Sequence, residues 1–201
     1  MTRQVYIAGR SPIPRRVILS AGESLDMTVV VLPGVDSDIP LRFDLTGEGA
    51  RLQLRGLYLC NASQQVDITV EVRHEVGGCT SSQQFRGIVG GEARASFFGK
   101  IFVRKDAQKT CAYQENRNLL TSDAARVETR PQLEIYADDV ECSHGATVGS
   151  LSEEERFYMR SRGIPDEEAR ILQMISFISP IVENIEDTDL RAEIYGLLSQ
   201  C

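Results

Sequence analysis

The sequence predicts a mainly β protein with a C-terminal α-helical tail. Up to about residue 150, apolar residues recur with a period of two between turns of small residues. After Gly149 the period becomes helical. No stretch alternates strand with helix, which argues against an α/β sheet.

In chain order, "ARLQLRG" (50–56) turns Leu52 and Leu54 to one side. "VDITVEVRHEV" does the same with Val66, Ile68, Val70 and Val72, against Asp67, Thr69, Glu71 and Arg73. "ARASFFGKIFV" aligns Ala93, Ala95, Phe97, Gly99, Ile101 and Val103, and "RVETRPQLEIYA" aligns Val127, Thr129, Pro131, Leu133 and Ile135. Turn signals lie at 46–50, 74–82, 89–93 and 121–125. One-faced strands between such turns fit a sandwich, a barrel or an irregular solenoid, and the pattern alone does not choose.

Ser152 and Glu155 then form an S-x-x-E capping box that opens a short helix, stopped by Gly163. A second helix begins at Pro165 with acids behind it. It carries Ile171, Met174, Ile175, Ile178, Val182 and Ile185 at helical spacing, and Pro180 is expected to kink or split it. A third, short helix runs through Leu190, Ile194, Leu197 and Leu198.

The 201 residues suffice for one domain with a core, or a domain with an appendage. A composition of 42% hydrophobic and 25% charged residues excludes disorder and collagen-like structure. No apolar run approaches the ~20 residues of a membrane span. The opening "MTRQVYIAGRSPIPRR" has no apolar stretch of signal type, so a cytoplasmic, membrane-free protein is expected. Of the net charge of −7, residues 151–201 hold −6, and no basic stripe offers itself to phosphates, which disfavours nucleic acid as a partner.

The chemistry is sparse. Cys60, Cys79, Cys111, Cys142 and Cys201 are odd in number and contain no CxxC pair, against a disulfide framework or a zinc finger. If residues 133–144 stay extended, Cys142 and His144 share one face, with Cα atoms roughly 6.6 Å apart at strand rise. Thiolate and imidazole can converge on one metal, yet two ligands do not close a site that needs about four. A metal here is therefore transient or completed by a second chain. Asp138 and Asp139 on a strand would face opposite ways and could not share a substrate. His74 and Cys79 flank a loose double-glycine turn, and "YQENRNLL" (113–120) reads as an interface or a polar ladder. No nucleophile–base pair is visible, so catalysis by this chain alone is not expected.

"GKIFV", "AQKTCAYQENRNLLTSDAARVETRPQLEIYADDVECSHGATVGSL" and "FYMRSRGIPDEEA" together resemble the core and C-terminal region of the SufB/SufD family of iron–sulfur cluster assembly proteins. The resemblance runs from about Gly47 to Ile185 and is closest to the SufD type. Ala125 stands where SufB-type members carry a functional cysteine. The resemblance implies a right-handed parallel β-helix over residues 1–150, with 1–46 poorly matched, and an ATPase-docking helical region over 151–201. It implies a non-catalytic subunit that pairs with a SufB-like scaffold and docks a SufC-like ATPase. Phe157, Tyr158, Arg160, Arg162, Ile171 and Ile175 are the docking candidates. His144 and Cys142 become the metal candidates, with iron or an iron–sulfur cluster held transiently at a subunit junction and no cofactor held stably. The alternative is a homodimer that binds iron or a cluster through Cys142 and His144 of both copies. Family members typically carry a large segment before the β-helix, so this chain is expected to be a short homologue or a piece of a longer one.

Overall fold

The computed structural model describes residues 2–200. Eleven strands run in order: β1 (Thr2–Ile7), β2 (Arg16–Leu19), β3 (Ser24–Val31), β4 (Ser37–Leu45), β5 (Arg51–Cys60), β6 (Gln65–His74), β7 (Thr80–Val89), β8 (Arg94–Val103), β9 (Thr110–Leu120), β10 (Arg126–Ile135) and β11 (Val140–Ser150). Odd-numbered strands form one six-stranded sheet and even-numbered strands a five-stranded one. Neighbours within each sheet pair in parallel. Consecutive strands thus alternate between two facing sheets, which makes the body a β-solenoid of about five coils. The open choice among β architectures is settled by this topology.

The predicted faces are the interior faces. Leu52, Leu54, Val66, Ile68, Val70, Val72, Ala95 and Phe97 lie in one buried cluster between the sheets. Stacking equivalent residues on successive coils demands complementary sizes, and glycine supplies them. Gly56 pairs with Phe85 and Tyr58 with Gly87 across β5 and β7. A Cβ on Gly56 would lie 2.1 Å from the Phe85 ring, and one on Gly87 2.0 Å from the Tyr58 ring. Each ring occupies the room that the glycine on the next coil leaves.

Two strands escape the apolar alternation because their interior faces are polar. Strand β7 turns Ser81 and Gln83 inward, and β9 turns Gln114, Asn116 and Asn118 inward, all buried. The segment 113–120 is therefore a buried polar ladder, while part of the expected turn at 74–82 already belongs to β7. Residues 133–144 do not stay extended. The chain bends between Ile135 and Val140, carrying Asp138 and Asp139 in the bend, both exposed. The backbone N–H of Asp139 donates to Gln108 Oε1 over 2.9 Å, and its carboxylate pairs with Lys109. The poorly matched residues 1–46 hold β1 to β4, whose interior Met27, Leu41 and Phe43 continue the same core.

Helices follow: α1 (Glu153–Ser161), α2 (Asp166–Val182) and α3 (Thr188–Leu197). The Ser152 hydroxyl accepts from the Glu155 N–H, and Gly163 leaves α1 at φ 89°, as the capping signals require. Pro180 does not split α2, which continues to Val182. In the last turn the missing proline N–H removes a single bond near an end where the ladder already runs out. The Ser176 carbonyl, which that N–H would have met, accepts instead from the Ser179 hydroxyl at 3.1 Å, and the Phe177 carbonyl of the same turn also accepts from the Arg86 guanidinium of β7.

The tail lies against the outer face of the six-stranded sheet. Met174, Ile178, Ile181, Val182, Ile185, Leu190, Ile194 and Leu198 bury against Val30, Leu57, Leu59, Ile88 and Leu119. These sheet residues sit on the outward side near the C-terminal ends of their strands. Arg10 and Glu193, at 2.8 Å, and Arg3 and Glu186, at 3.0 Å, tie the rim of this contact.

Candidate functional site

Register places Cys142 and His144. Cys142 pairs with Ala112 and His144 with Gln114, both interior residues of β9. The two candidates therefore share the interior face, although β11 belongs to a new strand rather than to an extension of β10. Strand β11 is the last of its sheet, so the bore ends there, uncovered among the described residues. Interior-facing residues that would be sealed one coil earlier are left open: His144, Ala146 and Val148 are exposed and Cys142 is half-buried. Leu133 and Val140 pack beside Cys142 on a small cluster around Ile101, Val103 and Ala112. Burial, more than any other effect, pushes the Cys142 thiol above its ordinary pKa, while the Ala112 backbone N–H pulls the other way. At neutral pH the group is a thiol, and a metal ion must displace its proton to bind.

The bore changes character toward this rim. Along one column, successive coils contribute Met27, Leu54, Gln83, Gln114 and His144. Along another they contribute Val31, Tyr58, Gly87, Asn118 and Val148. The early coils are hydrocarbon and the late coils carry amides. The Asn116 amide donates to the Tyr58 hydroxyl at 2.9 Å, and the Asn118 amide donates to Asn116 Oδ1 at 2.7 Å. The Tyr58 hydroxyl donates to Asn118 Oδ1, and burial raises its pKa far above the ordinary range. Period-two placement of Gln114, Asn116 and Asn118 was the one sequence signal for this network.

On the outside of the same rim stands Tyr113, whose phenol is pushed up to about 12, chiefly by its hydrogen bond with Glu141. At the rim itself a cleft of about 340 Å³ is lined by residues from both faces of the sheet, Gln83, Gln114 and His144 from the inner one and Tyr113, Glu115 and Ser143 from the outer one. No group of three or more His, Cys, Asp or Glu side chains able to hold a metal occurs among the described residues. Cys142 and His144 supply at most two donors. The second His/Cys pair does not form a site. His74 is fully buried with its Nε2 2.9 Å from the Ser81 hydroxyl, and the Cys79 thiol donates to the Gly47 carbonyl at 3.3 Å. Cys201 lies outside the described residues.

The docking candidates divide. Phe157 and Tyr158 of α1 are 71% and 59% exposed, and Arg160 and Arg162 are also exposed. Ile171 and Ile175 pack against the helix–sheet core instead. Between α1 and α2 runs an apolar groove of about 650 Å³ lined by Glu154, Glu155, Tyr158, Met159, Leu172 and Gln173. No helix among the described residues is long and apolar enough to cross a membrane.

The family model "SUF system FeS cluster assembly, SufBD core domain" matches residues 14–177, beginning earlier than the Gly47 at which the resemblance starts. The chain is 39% identical over 156 residues to the iron-sulfur cluster assembly protein SufD of Escherichia coli K12, covering 78% of this chain and 37% of that protein. It is 43% identical over 133 residues to an iron-sulfur cluster assembly SufBD family protein of Synechocystis, covering 66% of this chain and 28% of that one. It is 34% identical over 157 residues to the chloroplastic protein ABCI7 of Arabidopsis thaliana, covering 76% of this chain and 33% of that one. The chain thus spans about a third of the length of these curated relatives. Five coils of parallel sheet, a helical tail folded back on them and a match over residues 14–177 lead to one assignment: the chain belongs to the SufBD core family of SUF-system iron–sulfur cluster assembly proteins.

Proposed function

We propose that this chain is a non-catalytic subunit of an iron–sulfur cluster assembly complex. In this reading it pairs with a SufB-like scaffold at the β11 rim and docks a SufC-like ATPase on α1 and the adjoining face of α2. The observation that carries the proposal is the incomplete donor pair at the open end of the bore. Cys142 and His144 stand on the interior face of the last strand of the sheet, with no further coil beside them among the described residues, and they hold half of a coordination shell. The missing donors come from the partner, and iron or a nascent cluster is the cargo at the junction. Ala125 is buried where SufB-type members carry their cysteine, so this chain has no thiol of its own there.

The docking face rests on Phe157, Tyr158 and the groove beside Leu172, because Ile171 and Ile175 serve the body. Coupling follows if movement of the ATPase, transmitted through the tail packed on the six-stranded sheet, shifts the body relative to its partner. The homodimeric alternative draws on the same donor pair, since two copies hold four donors.

Co-expression with a SufB-like chain and a SufC-like ATPase tests both sites at once. The His144→Ala variant is expected to assemble normally, yet to lose most of the visible absorption after anaerobic reconstitution with iron and sulfide. Full absorption in that variant would remove the rim from the mechanism. A His144-dependent chromophore in the chain without partners would favour the homodimer.

A further inference from the structure

We propose that Gln114 is a positioning residue for His144: its side-chain oxygen accepts the imidazole Nε2–H, which leaves Nδ1 as the nitrogen that meets the metal. The inference rests on the reading of His144 as a donor to the cargo, and it concerns how that donor is oriented. In-register residues of parallel strands stand about 4.8 Å apart, the spacing at which side-chain amides stack and bond from one coil to the next. Gln83, Gln114 and His144 form such a stack. Gln114 Nε2 donates to Gln83 Oε1 at 2.8 Å, so the amide column runs in one direction along the bore. That bond uses Gln114's donor toward the coil behind. Its Oε1 is buried and has no hydrogen-bond partner among the described residues. A buried carbonyl oxygen without a donor is costly, and in a stacked column the natural donor stands on the next coil.

His144 occupies that next position. Its ring makes no hydrogen bond among the described residues and is exposed at the rim, free to turn onto the column. The imidazole Nε2 is three bonds from Cβ, the same count as the terminal atoms of glutamine, so the two reach the same level in the stack. The opposite sheet is cut to hold the amide in place. Gly99 of β8 lies under it, and a Cβ there would come 2.4 Å from Oε1 and 2.5 Å from Nε2 of Gln114. Locking Nε2–H fixes the neutral tautomer, and the acceptor behind the ring raises the basicity of the nitrogen in front.

The chain has two histidines, so the test is spectroscopic and needs no metal. The full chain, labelled with ¹⁵N-histidine, is measured by long-range ¹H–¹⁵N NMR at alkaline pH, where the neutral ring dominates. The wild type is expected to show His144 as a single Nε2–H tautomer whose ring proton exchanges slowly. In Gln114→Met that proton should exchange roughly fivefold faster, the protection of one net hydrogen bond, and the tautomers should mix. Gln114→Glu keeps an oxygen at the same length and should restore the single tautomer, since Gln83 Nε2 has no partner and can turn to donate to it. Gly99→Ala pushes the Gln114 amide aside while leaving the Gln114 and His144 side chains chemically unchanged, and should reproduce Gln114→Met. An unchanged His74 signal certifies that the bore is intact in each variant. A wild-type Nδ1–H tautomer, or a His144 spectrum indifferent to Gln114→Met in an intact bore, overturns the proposal. Loss of the donor role itself would appear elsewhere, as full cluster loading in His144→Ala.

Discussion

His74 shows how a single buried group couples this fold to pH. It is fully buried, its Nε2 meets the Ser81 hydroxyl and its Nδ1 has no partner among the described residues. Desolvation lowers its pKa from 6.5 to about 4. The native state therefore refuses a proton that the unfolded chain accepts below about 6.5. A depressed folded pKa gives stability that is fully present above the unfolded value and is lost as pH falls toward the folded one. Between pH 6.5 and 4 this residue should remove stability at up to about 1.4 kcal/mol per pH unit. Urea unfolding at pH 7, 6, 5 and 4.5 measures the slope, and His74→Leu is expected to flatten it relative to wild type. An equal slope in both proteins would assign the acid sensitivity to other groups.

At the scale of elements, the tail divides into a structural and an exposed part, and the division can be measured. Ile178 of α2 is fully buried between the helices and the sheet. Ile178→Ala should cost about 2–5 kcal/mol and lower the melting temperature markedly. Phe157 of α1 is 71% exposed, so Phe157→Ala should leave stability within about 0.5 kcal/mol of wild type. Calorimetry on both variants separates the two roles. The sequence made much of this legible. The S-x-x-E box and Gly163 located α1, and the run from Met174 to Ile185 located the buried stripe of α2. The period-two runs at 66–76, 93–103 and 126–137 located β6, β8 and β10. Strands β7 and β9 were harder, because Ser81, Gln83, Gln114, Asn116 and Asn118 put amides and a hydroxyl where hydropathy expects hydrocarbon. The shared face of Cys142 and His144 was legible from alternation. That this face is the inside of a bore, open only because β11 is the last strand, follows from topology, which periodicity does not encode. Nor could spacing reveal that Ile171 and Ile175 are taken up by the body, since a stripe does not name its partner.

Across the whole molecule, the rim and the α1 face present two unsatisfied surfaces of different kinds. Strand β11 offers an eleven-residue edge of backbone groups beside the open bore, and an exposed edge of that length invites pairing with another chain. A solenoid also needs its terminal coil covered. The α1 face offers aromatic side chains and an apolar groove, suited to burial in a pocket of a partner. If the two surfaces serve two partners, single changes should uncouple them. Val148 is 45% exposed on the interior-facing side of β11, so Val148→Asp should cost the free chain little. A carboxylate there must be desolvated when a partner covers the rim, and pairing with the SufB-like chain should weaken at least tenfold while ATPase binding holds. Phe157→Asp should do the reverse, weakening the ATPase at least tenfold and sparing the pairing. Sedimentation of the reconstituted three-chain mixture reads both equilibria together. Loss of both partners in either variant would mean that the rim and the tail act as one surface.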